Sequence, residues 1–132
     1  MGEITKDTLE WAIGYPHLLR SFDTFVHLSD DIVSTERERS GNNCASTVQC
    51  YMNLHGTTMH EAVQKIKELT EDLWKDMLQD HLTMTEQRLI VSKIVLNFSR
   101  TGNYMYHNID KFTSSCAIKE TITQIFVEKI PI

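Results

Sequence analysis

The chain has 132 residues, the length of one ordinary domain, of which 41% are hydrophobic and 23% charged. Its 13 basic and 18 acidic residues give a net charge of −5, which argues against a general nucleic-acid binder, because such proteins neutralise phosphates with basic side chains. No apolar run approaches the ~18–20 residues of a membrane span, and the N-terminal segment lacks the apolar stretch of a secretory signal. We therefore expect one globular domain without a membrane span.

Residues that favour helices dominate the sequence, and residues that interrupt helices are few. Only two prolines and five glycines are present, so few of the turns that separate strands are expected. The three cysteines, Cys44, Cys50 and Cys116, lack a Cys-x-x-Cys spacing, and we expect buried, reduced thiols rather than a zinc site or disulfides. The composition predicts an all-α fold of about five to six helices.

Two helices are predicted at the start of the chain. The first runs from about Thr5 to Ile13 and ends at Gly14. Pro16 occupies a position that the first turn of a helix tolerates, and the apolar pattern that follows continues to about Arg39, where Ser40–Asn43 ends it. This second helix has ~24 residues and a length of about 36 Å, twice that of a usual globular helix.

A short third helix is predicted from about Cys44 to Leu54, ending at Gly56. Thr58 and Glu61 have the spacing of a capping box for the fourth helix. The residues of that helix predicted to point inward are Val63, Ile66, Leu69, Leu73 and Met77.

Thr83 and Glu86 have the spacing of a second capping box, which predicts that a fifth helix begins there and reaches about Tyr106. Residues 107–115 are predicted to form a loop. A last amphipathic helix is indicated by Ile118, Ile122, Ile125 and Phe126.

Oxygen-bearing side chains recur along one side of the second helix. Asp30, Ser34 and Glu38, which we call the oxygen strip, are four residues apart, and at about 100° per residue they lie within a sector of about 80°. Apolar residues of the same helix lie directly beside this sector: Leu19, Phe22, Phe25, Val26 and Val33. An oxygen strip beside an apolar stripe is typical of the wall of a pocket with a metal at its rim.

Two carboxylates and one hydroxyl are hard ligands that do not complete a coordination shell. This set suits Mg²⁺, with Mn²⁺ as an alternative, because these ions prefer oxygen and Mg²⁺ takes its remaining ligands from water or substrate phosphates. The spacing alone also fits the solvated face of an exposed helix, since acidic helix faces are common.

The segment Asp30–Glu38 resembles the second metal-binding motif of plant class I terpene synthases, [Asn/Asp]-Asp-[Leu/Ile/Val]-x-[Ser/Thr]-x-x-x-Glu. Further segments resemble the same family, in the same order, along nearly the whole chain: Tyr15–Arg20, Val48–Met52, Glu61–Ala62, Leu73–Lys75, Tyr106–Thr113 and Ile125–Ile132. The resemblance implies part of the all-α class I terpenoid synthase fold, with residues 1–132 as the C-terminal portion of its metal-binding domain.

The resemblance also implies a reaction and roles for particular residues. Members of this family ionise a prenyl diphosphate (geranyl, farnesyl or geranylgeranyl) with Mg²⁺, and the carbocation cyclises or loses a proton in an apolar cavity. The oxygen strip corresponds to the ligands of one Mg²⁺ ion, and Asp31 to a neighbouring acid that supports those ligands. Tyr106 and Asp110 correspond to a lid over the pocket. No nucleophile is implied.

Three features depart from the family pattern. His27 stands where the family usually has an arginine that clamps the diphosphate, and a partly charged histidine binds diphosphate more weakly; its alternative role is packing. Lys111 stands where the lid commonly has glycine. The family's first motif, Asp-Asp-x-x-Asp, does not occur in the 132 residues, so we expect one wall of the active site here and impaired activity of the free chain.

Two other functions stand as alternatives. A non-catalytic helical interaction module is the first, because apolar stripes without a facing wall predict self-association or pairing with another chain. A four-helix metal carboxylate protein is disfavoured, since none of the six histidines has a glutamate three residues before it. The family works in the cytosol or plastids of plants, and no transit segment is visible in the sequence.

Overall fold

The computed structural model describes residues 3–37, 46–106 and 115–127. Within these ranges all regular structure is helical, so the predicted all-α class is confirmed. The helices are α1 (Lys6–Ile13), α2 (His17–Arg37), α3 (Thr47–His55), α4 (Met59–Thr83), α5 (Glu86–Tyr106) and α6 (Lys119–Phe126), with a short 3-10 helix (Ser115–Ile118) before α6.

Helix α2 is the centre of the packing, because both hydrophobic clusters use its buried side. One cluster joins the N-terminal half of α2 to α4 and α5, through Leu18, Phe25, Met77, Val95 and Leu96. The other joins its C-terminal half to α3 and α4, through Leu28, Ile32, Val48, Ala62 and Ile66. Removing these side chains from water stabilises the bundle. The opposite side of α2, which carries Asp30, lies outside this core.

Several predicted helix limits are confirmed by local hydrogen bonds. The Thr5 hydroxyl accepts from the Thr8 backbone N–H (3.2 Å) at the start of α1. Gly56 follows α3 with φ 63°, a left-handed conformation that glycine adopts without steric cost. Thr58 and Glu61 form the predicted capping box at the start of α4. These signals are local, so the sequence alone reveals them.

The predicted capping box at Thr83 and Glu86 is wrong. Helix α4 continues to Thr83, whose hydroxyl donates to the backbone carbonyls of Gln79 (3.2 Å) and Asp80 (3.1 Å) of the same helix. Helix α5 begins at Glu86, after Thr85. The Thr83 hydroxyl therefore bonds to the last turn of α4 and does not cap α5. Threonine hydroxyls commonly bond backward to their own helix in this way.

Three side chains predicted to be buried are exposed. Leu69 lies at the edge of the buried face of α4 and is 44% exposed. Cys50 lies two residues after the fully buried Val48 on α3, and about 200° of helical rotation turns it to solvent. Cys116 is also exposed. Both are free cysteines in the described part of the chain, whereas Cys44 lies outside it.

Large apolar side chains are exposed on several helices of the described part of the chain: Leu54, Leu82, Ile94, Phe98, Ile122, Ile125 and Phe126. No described helix is both long and apolar enough to cross a membrane.

Thr58→Ala is expected to lower the free energy of unfolding by about 1 kcal/mol, because it removes the N-cap hydroxyl of α4. This hydroxyl accepts from the Glu61 backbone N–H (3.3 Å) and donates to the Glu61 carboxylate (2.8 Å). Urea unfolding of the 132-residue chain measures the change. Thr101→Ala is the control, because Thr101 is exposed and its hydroxyl donates to the Asn97 carbonyl of its own helix (3.0 Å). Equal losses in both variants would contradict a capping role.

The stability that the Glu61 carboxylate adds depends on pH. Hydrogen bonds from the backbone N–H and the hydroxyl of Thr58 hold the pKa of Glu61 below its ordinary value. The Glu61 carboxylate therefore contributes fully to the stability at pH values above its pKa in the unfolded chain. This contribution is lost as the pH falls through the lower pKa of Glu61 in the folded chain. We expect the stability difference between the wild-type chain and Glu61→Gln to be present at neutral pH and to disappear in acid.

Candidate metal site

The described part of the oxygen strip lies on the solvent side of α2. The Asp30 side chain is exposed and makes no hydrogen bond or ion pair with the described residues. Ser34 is half-buried, and its hydroxyl donates to the backbone carbonyl of Asp30 (2.8 Å). The two side chains lie one turn apart on the same side of the helix. Glu38 lies outside the described residues.

An apolar surface lies next to the strip, formed by α2 and α5. Val26 is half-buried and lies one turn before Asp30, and Phe22 lies one turn earlier. The Phe22 ring packs edge-on against Phe98 of α5, with centroids 5.6 Å apart and planes at 83°. Phe98 is nevertheless 57% exposed, and Ile94, one turn before it, is 53% exposed. We call Phe22, Val26 and Phe98 the apolar wall.

Asp31 does not share the surroundings of Asp30. Its Oδ2 accepts hydrogen bonds from the backbone N–H of Thr47 (3.0 Å) and from the Thr47 hydroxyl. Thr47 is the first residue of α3. One residue of an α-helix turns by about 100°, so the two adjacent acids point toward different parts of the molecule.

His27 lies on the same side of α2 as Asp30 but is largely exposed. Its Nδ1 is 3.9 Å from the Asp23 carboxylate, a contact in which the two side chains are 74% and 57% exposed. Asp23 also accepts a hydrogen bond from the Tyr15 hydroxyl (2.9 Å), which raises the pKa of Tyr15. His27 is thus exposed in the described part of the chain, and both its expected role at a diphosphate and the alternative of packing remain predictions.

The predicted lid is only partly described. Tyr106 is the last residue of α5, and nothing is described of its side chain. Asp110 and Lys111 lie outside the described residues. Their expected roles at the pocket therefore remain predictions.

The chemistry of Asp30 and Ser34 fits a hard divalent cation. The Ser34 hydroxyl uses its proton in the bond to the Asp30 carbonyl, so its oxygen lone pairs are available to a metal. Carboxylate and hydroxyl oxygens are ligands that Mg²⁺ accepts. No group of three or more His, Cys, Asp or Glu side chains in the described ranges could hold a metal. An ion here therefore depends on the serine hydroxyl and on ligands from elsewhere.

Comparison with known proteins identifies the relatives of this chain. A family model described as "Terpene synthase family, metal binding domain" matches residues 1–76. β-Sesquiphellandrene synthase of Sorghum bicolor is 57% identical over 97% of this chain and 24% of its own length. Zingiberene synthase of the same plant is 56% identical over 98% of this chain and 24% of its own length.

A relative whose name states that it is inactive matches almost as well. Inactive sesquithujene synthase B of Zea mays is 51% identical over 97% of this chain and 23% of its own length. The chain thus spans about a quarter of the length of the curated relatives it matches. No solved structure matches it. On the match to the family model and to these plant enzymes, the chain belongs to the terpene synthase family.

Proposed function

We propose that this chain supplies one wall of a terpene synthase active site, where a prenyl diphosphate of the geranyl, farnesyl or geranylgeranyl class is ionised with Mg²⁺. The carbocation then cyclises or loses a proton to give a terpenoid. Residues 1–132 would form the C-terminal portion of the metal-binding domain. The observation that carries this proposal is the exposed Asp30 carboxylate, with the half-buried Ser34 hydroxyl one turn away, beside the apolar wall.

Asp30, Ser34 and Glu38 are the proposed ligands of one Mg²⁺ ion, which Mn²⁺ could replace. When bound, the ion supplies positive charge where the leaving diphosphate gains negative charge. Helix α2 holds the Asp30 carboxylate and the Ser34 hydroxyl in place. The helix is rigid because its opposite side is packed into the core.

The apolar wall has a separate task in the same reaction. Its side chains exclude water, which would otherwise capture the carbocation. The faces of Phe22 and Phe98 carry the negative part of an aromatic quadrupole, which stabilises a nearby positive charge. We propose that Tyr106 and Asp110 close the pocket over the substrate, and that the chain acts in the cytosol or a plastid.

A non-catalytic helical module is the second candidate function. Two observations favour it: the exposed apolar residues of α5 and α6, and the match to a relative named as inactive. In this case the apolar wall would mediate self-association or bind another chain.

Product formation distinguishes the two functions. The chain is tested alone and as a chimera in which it replaces the matching quarter of β-sesquiphellandrene synthase. Each is incubated with geranyl, farnesyl or geranylgeranyl diphosphate and Mg²⁺, and volatile products are measured by gas chromatography. We expect little product from the free chain and clear product from the chimera. A folded chimera without product would favour the module.

His27→Arg is expected to lower the KM of the chimera for its prenyl diphosphate by about fivefold, because a guanidinium donates two parallel hydrogen bonds to phosphate oxygens and histidine does not. Steady-state kinetics at saturating Mg²⁺ measure this change. His60→Arg, on the exposed first turn of α4, is the matched control. If both substitutions lower KM equally, added positive charge alone explains the effect.

A further inference from the structure

A small cleft lies where α1, the first turn of α2, the end of α4 and the first turn of α5 meet. Its volume is about 250 Å³. The residues that matter here are the apolar Trp11, Pro16 and Met84 and the polar His17, Asp80 and Arg88. His17 lies more than three turns before Asp30 on α2, about 20 Å along the helix axis. The cleft is therefore separate from the proposed metal site.

The positive charge of the cleft comes from Arg88. Its guanidinium lies over the indole ring of Trp11, 5.0 Å from the ring centroid. This stacking restrains the guanidinium plane and leaves N–H donors free at its edge. In the part of the chain that the structure describes, no carboxylate forms an ion pair with Arg88. An anion with two coplanar oxygens, as in a carboxylate, matches two of these donors.

Asp80 also lines the cleft, but its carboxylate already has a partner. It accepts a hydrogen bond from Nδ1 of His17 (2.7 Å), and the Asp80 side chain is only 25% exposed. Asp7 and Glu86 border a neighbouring cleft that shares Arg88, and neither of them lines this one. The described lining thus offers an arginine without an acidic partner beside apolar side chains.

We propose that this cleft binds a small organic anion, a carboxylate carried on a compact apolar body. The carboxylate pairs with Arg88, and the apolar body packs against Pro16 and Met84 beside the ring of Trp11. The cleft is smaller than the range of about 300–1,000 Å³ that is typical of sites for drug-sized ligands, so its ligand is small. This proposal is independent of the proposed metal site.

Benzoate is the probe, because it joins a carboxylate to a compact apolar ring. Binding to the complete, isotopically labelled 132-residue chain is followed by nuclear magnetic resonance, which distinguishes the indole N–H of Trp11 from that of Trp74. Three further compounds separate the features of the probe. Benzamide has the ring without the charge, acetate has the carboxylate without the ring, and inorganic phosphate has charge without a planar pair of oxygens.

Arg88→Gln removes the positive charge, and Arg88→Lys keeps the charge but loses the planar pair of donors. Arg100→Gln is the matched control, because Arg100 is also exposed, lies on the same helix and is stacked over a tryptophan, with its guanidinium 6.0 Å from the ring centroid of Trp74. The spectrum of each variant reports whether it is folded.

We expect benzoate to shift the signals of the Trp11 indole and the Arg88 side chain. Benzoate should bind about tenfold more tightly than each of the other three compounds, since only benzoate uses both parts of the cleft. Arg88→Gln should weaken benzoate binding by about tenfold or more, because it removes a charged, paired hydrogen bond. Arg88→Lys should give a smaller loss, and Arg100→Gln should bind benzoate like the wild-type chain.

Four results would overturn this proposal and leave the proposed metal site untouched. Wild-type signals of Trp11 that do not respond to benzoate would exclude binding in the cleft. Shifts centred on Trp74, or equal losses in Arg88→Gln and Arg100→Gln, would mean that benzoate binds to stacked arginines in general. Benzamide binding as tightly as benzoate would show that the charge of Arg88 is not used. Phosphate binding more tightly than benzoate would exclude a site made for an apolar carboxylate.

Discussion

Asp30→Asn is expected to lower the rate of product formation by the chimera by about a hundredfold or more. The substitution keeps the shape of the side chain but removes the negative charge that holds a divalent cation against the diphosphate. Removing one group that stabilises charge in a transition state commonly lowers kcat by about a hundredfold or more. This loss is measured as the kcat of the substituted chimera relative to that of the unsubstituted chimera, with the prenyl diphosphate at saturating Mg²⁺.

Two further variants make the Asp30 result specific. Asp76→Asn changes an exposed aspartate on α4 that contributes to no proposed site, and its kcat should equal that of the unsubstituted chimera. Ser34→Ala should give an intermediate loss, because a neutral hydroxyl is a weaker ligand than a carboxylate. If Asp30→Asn costs no more than Asp76→Asn, the acidic side of α2 is only a solvated helix face.

Met77→Ala is expected to have the largest effect on stability, with a loss of about 3 kcal/mol in the free energy of unfolding. Met77 is fully buried on α4 and packs in the cluster that contains Leu18 and Phe25 of α2. The Ser99 hydroxyl also lies 3.8 Å from its sulfur. Truncation leaves a cavity at the contact of α2, α4 and α5. Urea unfolding of the 132-residue chain measures the loss.

Leu82→Ala, on the same helix, is the control for Met77→Ala. Leu82 is 77% exposed, so its truncation creates no cavity and should change stability by less than about 0.5 kcal/mol. Equal losses at both positions would mean that α4 does not pack through the side that carries Met77.

The parts of this structure that could be predicted depend on residues close together in the chain. The spacing of apolar residues along α2 indicates a long helix, and the positions of Asp30 and Ser34 on one side of it follow from the same spacing. The capping box of Thr58 and Glu61 is equally local. The wrong prediction at Thr83 shows the limit, because a threonine hydroxyl can bond backward to its own helix as well as forward.

The parts that could not be predicted depend on how helices meet. The hydrogen bonds from Thr47 to Asp31 join two helices, and nothing in the spacing of either helix shows that their polar sides come into contact. The contact between Phe22 and Phe98 similarly requires α5 to lie beside α2. The exposure of Cys50 differs from the expectation for reduced thiols, which are commonly buried, because Cys50 lies opposite the buried side of α3.

The most direct test of the proposed metal site is a titration of the isotopically labelled 132-residue chain with Mn²⁺, followed by nuclear magnetic resonance. The paramagnetic ion broadens the signals of nearby amides, so even a weak site is located. We expect the amides from Asp30 to Ser34 on α2 to broaden first, and Mg²⁺ to restore their signals by competition. Broadening centred instead on the acidic residues Glu71, Asp72 and Asp76 of α4 would contradict a metal site on α2.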